Sequence, residues 1–88
     1  MKAATLNQLL IFRAIAEARS IRGAARRLGL SAPSVSQALR QLEAEVGLPL
    51  FKRTTRQMAL TDAGEQLVAG AFGALATVEQ ALEAVKDQ

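Results

Sequence analysis

The stretch "SIRGAARRLGLSAPSVSQALRQLE", residues 20–43, contains two helical patterns separated by a glycine. Ser20 and Ser31 each stand where a helix N-cap is expected, and their hydroxyls can accept hydrogen bonds from the first turn. Gly29 tolerates the left-handed conformation that commonly ends a helix. The stretch therefore predicts a short helix over about residues 21–28, a sharp turn and a further helix.

Small and apolar residues surround that turn at spacings that suit two crossing helices. Ala25 is small enough for a close crossing, and Leu28, Leu30 and Val35 are expected to fill the wedge between the helices. The predicted core stripe of the further helix, at spacings of 4, 3 and 4 residues, is Val35, Leu39, Leu42 and Val46. This is the helix–turn–helix pattern, which a helical hairpin of another kind can also show.

The flanking segments predict the rest of the architecture. Thr5 and Gln8 form a capping-box pattern before a first helix over about residues 6–18. Two short apolar pieces around a polar tip predict a two-stranded hairpin within residues 50–60. A long final helix is then expected over about residues 62–86, so the fold is mainly helical.

Charge is divided unevenly along the 88 residues. Residues 1–56 contain ten Lys or Arg and three Glu, a net charge of +7, whereas residues 57–88 contain one Lys and five acids, a net charge of −4. A basic front segment suits a polyanion such as nucleic acid; a solvated basic surface is the alternative.

The chain has no Cys and no His. With no nucleophile beside a base, we expect neither an enzyme nor a bound cofactor or metal.

The helix after the turn presents a polar face opposite its core stripe. At 100° per residue that face consists of Pro33, Gln37, Arg40 and Gln41, with Ser34 and Ser36 at its edges. In helix–turn–helix proteins the N-terminal part of this helix enters the major groove. Short hydroxyls permit close approach, and Gln37 offers a paired donor and acceptor to a base. Alternatively, Ser34 and Ser36 serve only to start the helix.

The final helix has an apolar stripe typical of a coiled-coil seam. Its members, at spacings of 4, 3, 4 and 3, are Ala71, Leu75, Val78, Leu82 and Val85. The stripe predicts that two chains pair, and it is also the main support for the alternative of a helical interaction module that binds no DNA.

The longest charge-free run, between Glu65 and Glu79, is shorter than the ~20 residues that span a bilayer. We therefore expect no membrane partner, and a cytoplasmic protein.

These motifs resemble the N-terminal DNA-binding domain of LysR-type transcriptional regulators over essentially all 88 residues. The matching signatures are "SIRGAARRLGLSAPSVSQALRQLEAEVGLPLF" and "KRTTRQMALTDAGE", followed by a long helix. The resemblance implies an all-α fold with a small β-hairpin wing. Residues 1–60 would form a winged helix–turn–helix domain and residues 61–88 a linker helix that pairs two subunits. It also implies an effector-binding domain after this chain, through which alone a small molecule would act, and a possible tetramer of the full-length protein.

The resemblance further implies sequence-specific binding of double-stranded DNA and roles for particular residues. The recognition helix would contact DNA through Ala32, Pro33, Ser34, Ser36, Gln37 and Arg40. The start of the short helix and the wing would contribute Ser20, Arg22, Arg53, Thr54, Thr55 and Arg56, with Arg53 in or beside the minor groove. Many family members have glutamine where Ala32 stands and arginine where Gln37 stands, so no operator sequence is implied. Arg26 and Arg27 also suit phosphate binding, although such a pair is more often a solvated helix face.

Overall fold

The structure is a computed structural model that describes residues 1–54 and 57–88. Its elements, in chain order, are α1 (Ala3–Ala18), α2 (Ile21–Leu28), α3 (Ala32–Val46), β1 (Phe51–Arg53), β2 (Met58–Leu60) and α4 (Asp62–Lys86). The two strands pair antiparallel, with Phe51 opposite Leu60 and Arg53 opposite Met58. The predicted helical fold with a small hairpin wing and a long final helix is confirmed.

Three helices start where their capping residues predicted. The side-chain oxygens of Ser20, Ser31 and Thr61 each accept a hydrogen bond from the backbone N–H three residues later, at 2.7, 3.2 and 3.1 Å. Gly29 and Gly47 follow α2 and α3 with φ of 67° and 77°. This left-handed region is strained for residues with a Cβ, so glycine ends both helices at low cost.

The start of α1 differs from the prediction. Lys2 is the N-cap residue, without a side-chain cap, and Thr5 lies inside the helix. The Thr5 hydroxyl donates a hydrogen bond to Glu45 Oε1 on α3 at 2.7 Å, and the Gln8 amide donates to Gln41 Oε1 at 3.1 Å. The predicted capping box is therefore wrong, because contacts between α1 and α3 engage both side chains.

The crossing of α2 and α3 depends on small residues more than on the leucines beside the turn. Ala25 is buried against the core, as predicted, and so is Val35. Leu28, Leu30 and Val46, however, are 38, 44 and 43% exposed. The prediction that they fill the core is wrong, because the two leucines flank a surface turn and Val46 borders an open groove in the last turn of α3.

The three aromatic residues of the chain meet at the centre of the fold. Phe12 of α1 has no exposed surface. Its ring centroid lies 5.3 Å from that of Phe51 in β1 and 5.8 Å from that of Phe72 in α4, in tilted and edge-on geometry. Such arrangements are favourable for aromatic pairs beyond the area they bury. One side chain therefore connects the first helix to both the hairpin and α4.

The first turn of α4 is anchored to the segment that joins α3 to the hairpin. The Thr61 hydroxyl donates to the Pro49 carbonyl at 2.7 Å, and the Thr61 N–H donates to the Leu50 carbonyl at 3.0 Å. The Leu50 N–H in turn donates to Glu43 Oε2 at 2.7 Å. Gly64 packs so closely here that a Cβ would collide with the Leu50 carbonyl oxygen. Backbone and side-chain contacts thus determine where α4 leaves the core.

The distal half of α4 extends beyond the core and is held by one ion pair. The Arg13 guanidinium on α1 donates two hydrogen bonds to the Glu79 carboxylate, at 2.9 and 2.8 Å. These bonds raise the pKa of Arg13 and lower the pKa of Glu79, because each favours the charged form of its partner. Near this pair and beyond it, Val78, Leu82 and Val85 are each more than half exposed.

Within the described part of the chain, α4 alone is long and apolar enough to cross a membrane by length and composition. Its charge-free run is short, but an 18-residue window with at most two charged residues reaches a mean hydropathy of 1.2. The same composition suits a helix that pairs with a second protein helix, and Phe72 of α4 already packs against the core. The absence of a membrane partner stays a prediction.

We expect Gly64→Ala to lower the free energy of unfolding by about 1–3 kcal/mol, because the new Cβ must displace the Leu50 backbone. Gly73→Ala is the matched control in the same helix, since its Cβ would meet no atom within 4 Å. The better helix propensity of alanine should raise stability there by about 0.5–1 kcal/mol. Urea denaturation followed by circular dichroism measures both effects. Equal unfolding midpoints for the two variants would contradict the predicted contact.

The Arg13–Glu79 pair should make stability depend on pH in the acid range. The pKa of Glu79 is lower in the folded protein than in the unfolded chain. The pair therefore stabilises the fold above the unfolded-state pKa of about 4.3, and this contribution is lost as the pH falls through the lowered pKa. Glu79→Gln should melt at a lower temperature than the unsubstituted protein at pH 7, and the difference should shrink as the pH falls through the lowered pKa of Glu79. Glu83→Gln controls for loss of one charge in α4, and a difference that persists at low pH would refute the assignment.

Candidate nucleic-acid interface

The recognition-helix candidate α3 has one buried and one exposed side. Its buried side comprises Val35, Ala38, Leu39 and Leu42. The exposed side comprises Pro33, Ser34, Gln37 and Arg40, while Ala32 and Ser36 are partly exposed at its edges. The helical spacing thus placed these residues correctly relative to the core. Apart from Pro33, the residues of this exposed side are polar.

Two residues of the predicted polar face of α3 are already engaged within the protein. The Ser31 hydroxyl donates to Ser34 Oγ at 2.8 Å and accepts from the Ser34 N–H, so Ser34 takes part in the helix cap. Gln41 accepts a hydrogen bond from a side chain of α1. Gln37 and Arg40 make no side-chain hydrogen bond or ion pair with any residue that the structure describes. They are therefore available to a ligand without loss of an internal contact.

A basic cleft lies beside α3, between α2 and the hairpin. This open cleft has a volume of about 580 Å³ and no acidic residue in its lining. Its charged residues are Arg19, Arg22, Arg26 and Arg53. Of the residues predicted to bind DNA, it brings together Ser20, Arg22, Ser36, Arg53 and Thr54. Gln37 and Arg40 lie outside the cleft on the exposed side of α3, so the predicted site consists of two neighbouring surfaces.

The four cleft arginines have no ion-pair partner within residues 1–54 and 57–88. The ion pairs of this part of the chain use other cations: Arg13 with Glu79, Arg27 with Glu17 at 3.7 Å, and Lys86 with Glu83. Converging like charges repel one another, and an anion in the cleft relieves that repulsion. The cleft is therefore built to accept negatively charged groups.

The wing is closed by its own polar residues. Thr54 Oγ1 donates to the Gln57 carbonyl at 2.7 Å and accepts from the Gln57 N–H at 3.0 Å, so this hydroxyl connects the residue after β1 to the residue before β2. Arg53, at the end of β1, is exposed and lines the cleft. The predicted wing-tip residues Thr55 and Arg56 lie outside the described residues.

The structure also separates two arginines that sequence reasoning treated together. Arg26 lies four residues after Arg22, on the same side of α2, and both line the cleft. Arg27 instead pairs with Glu17 of α1. The four-residue spacing was the available signal for Arg26. Arg19, which also lines the cleft, was not identified from the sequence because it belongs to a helix end and to no recognisable motif.

The crossed helices, the hairpin beside them and the basic cleft together define a winged helix–turn–helix protein. Residues 6–65 match the family model described as bacterial regulatory helix-turn-helix protein, LysR family. This match covers more than half of the chain. The chain therefore belongs to the LysR family, as the sequence motifs indicated.

Curated relatives share the same region. The HTH-type transcriptional regulator PtxR of Pseudomonas aeruginosa is 48% identical over 82 residues, covering 93% of this chain and 26% of the relative. The HTH-type transcriptional regulator BudR of Raoultella terrigena is 46% identical over 81 residues, covering 92% of this chain and 28% of the relative. The chain thus spans about a quarter of the length of these relatives.

Solved structures confirm the fold. The BenM DNA-binding domain in complex with catB site 1 DNA has a TM-score of 0.86 and 30% identity, covering 99% of this chain and 94% of that chain. The CbnR DNA-binding domain in complex with DNA has a TM-score of 0.81 and 31% identity, covering 99% and 97%. Both similarities extend over nearly the whole chain, including α4.

We expect Gln37→Ala to weaken binding to a preferred duplex by about 1–3 kcal/mol and to leave binding to random duplex nearly unchanged, because the side chain would read a base. Gln41→Ala is the matched control, since Gln41 is the same residue type one turn later but contacts α1. Fluorescence anisotropy with a duplex selected from a random pool measures both. Equal weakening on preferred and random DNA would rule out base reading by Gln37.

Proposed function

We propose that this chain is the DNA-binding part of a LysR-type transcriptional regulator that binds duplex DNA as a dimer. The first turns of α3 enter the major groove, and the hairpin lies at the minor groove. Residues 1–60 form the winged helix–turn–helix domain, and residues 61–88 form the linker and dimerisation helix. The observation that carries the proposal is the exposed surface of Gln37 and Arg40 beside a cleft whose four arginines have no ion-pair partner among the described residues.

The two surfaces divide the work of recognition. Arg22 in the cleft, together with Arg40 on α3, neutralises phosphates and supplies affinity that does not depend on sequence. Gln37 reads a base edge, while Ala32 can contact a thymine methyl group. Arg53 suits a narrow, A·T-rich minor groove, where the negative potential is strongest. A helical interaction module that bound no DNA would have no use for four arginines in one cleft without an acidic partner in the described part of the chain.

Dimerisation through α4 accounts for its exposed apolar stripe. Ala71 and Leu75 are partly covered by the protein's own core, whereas Val78, Leu82 and Val85 are more than half exposed. Soluble monomers rarely expose such a stripe, and pairing with a second α4 covers it. A two-fold dimer also gives two recognition helices a defined separation, so that each can reach its own half-site.

The relatives suggest the setting in which this domain works. They are named transcriptional regulators and are several times longer than this chain. We infer that a following domain binds a small-molecule effector, that the regulator acts in the bacterial cytoplasm, and that this domain catalyses no reaction. A tetramer of the full-length regulator is compatible with dimerisation through α4.

Salt dependence tests DNA binding directly. If each subunit neutralises about four phosphates, the dimer neutralises about eight, and log K should fall against log salt concentration with a slope near −7. Titration of labelled duplex at several salt concentrations gives this slope. A slope between 0 and about −2 would contradict the docking, because too few phosphates would be contacted.

Leu82→Lys should dissociate the dimer, because it places an unpaired charge in the apolar seam. Analytical ultracentrifugation should find the unsubstituted protein dimeric at micromolar concentration and the variant monomeric with unchanged helical content. Specific affinity for a two-half-site duplex should fall with the dimer. Gln80→Lys is the matched control, since it adds the same charge on the opposite side of α4. A monomeric unsubstituted protein, or full affinity of monomeric Leu82→Lys, would overturn this mode of assembly.

A further inference from the structure

We propose that Arg19 and Arg26 are DNA-contacting residues that complete the basic cleft as a binding site for phosphodiester groups of one strand. The site lies between α2 and the wing, so a strand bound there would connect the major groove occupied by α3 to the minor groove at the wing. The inference rests on the proposed function. It adds Arg19, for which no DNA contact was predicted, and it selects Arg26 from a pair that the sequence could not separate.

Arg19 is held rigidly at the base of the wing. Its backbone N–H donates to the Ile15 carbonyl at 2.7 Å and ends α1, and its own carbonyl accepts a hydrogen bond from the Met58 N–H at 3.3 Å. Arg19 lines the cleft together with Arg53, which the hairpin supplies. Arg19 therefore connects the end of α1 to β2 at the place where a phosphate would lie.

The backbone conformation of Arg19 is unfavourable for an arginine. Its φ is 57°, and it is the only non-glycine residue with positive φ in the described chain. The other two positions of this kind are occupied by Gly29 and Gly47, which adopt the conformation without strain. An arginine here is strained and also adds a charge to a cleft that already holds three arginines. Both costs are consistent with a function for the guanidinium, and strained residues are often found at binding sites.

Arg26 and Arg27 provide an internal comparison. They are neighbours in α2 with the same side chain, and both are exposed. Arg27 lies 3.7 Å from Glu17, whereas Arg26 lines the cleft and has no acidic partner in the part of the chain that the structure describes. Guanidinium groups bind phosphate through paired, charge-assisted hydrogen bonds. We therefore assign a phosphate contact to Arg26 and none to Arg27.

The test compares Arg19→Gly, Arg26→Gln and Arg27→Gln in duplex titrations at several salt concentrations. Arg19→Gly and Arg26→Gln should each weaken binding to preferred and random duplex by about tenfold or more. Each should also reduce the slope of log K against log salt by about 2 per dimer, one phosphate per subunit. Arg27→Gln should keep the original slope. Arg19→Lys retains the charge and should retain the slope.

Stability measurements keep the test independent of folding. Arg19→Gly should unfold at a higher urea concentration than the unsubstituted protein, because glycine relieves the positive φ. Arg19→Asn, which also tolerates that conformation, should show the same loss of affinity. If the unsubstituted protein binds with a steep slope while Arg19→Gly, Arg19→Asn and Arg26→Gln behave like Arg27→Gln, the inference is overturned and the proposed function stands. If the unsubstituted protein shows no salt-dependent binding, both fail.

Discussion

The packing of Phe12 between the hairpin and α4 is the constraint on which the DNA-facing surface depends. Its ring contacts Phe51 on one side and Phe72 on the other, and these are the only aromatic residues in the chain. A core otherwise built from small and aliphatic side chains thus has one rigid centre. Because α1 supplies that centre, the first helix determines where the wing lies relative to α3 and in which direction α4 leaves.

Hydrogen bonds and an ion pair also fix the positions of α3, the hairpin and α4 relative to one another. Glu43 at the end of α3 accepts the Leu50 N–H, and the Leu50 carbonyl accepts the N–H of Thr61 at the start of α4. The helix α3, the start of the hairpin and the helix α4 therefore meet at Leu50. Further along, Arg13 and Glu79 hold the distal part of α4 to α1. In a dimer, this direction of α4 would set the distance between two recognition helices, so the internal packing of one subunit bears directly on half-site spacing.

The ion pairs of this small domain determine which of its positive charges remain available to an anion. Arg13 and Arg27 neutralise acids of the protein itself, and neither lines the basic cleft. The arginines of the cleft have no such partner in the described chain, so their charge is available to phosphate. The basic front segment of the sequence suited either a polyanion partner or a solvated basic surface, and ion pairing decides which part of that surface is available to an anion. Under the proposed function, the same division would separate general phosphate affinity in the cleft from base reading by Gln37 on α3.

The sequence by itself determined the element order, the ends of α2, α3 and α4, the exposed side of the recognition helix and the family. These features depend on residues at most a few positions apart, such as a cap and the N–H three residues later, or side chains repeating every third or fourth position. Tertiary structure alone decided the roles of Thr5 and Glu79, which contact residues 40 and 66 positions away. It also decided that Leu28 and Leu30 lie at the surface, and that Arg19 and Arg26 join the cleft while Arg27 does not. The reason is physical. Helix caps and helical periodicity depend on residues that are close in the sequence, whereas ion pairs and the burial of side chains depend on which distant segments the fold brings together.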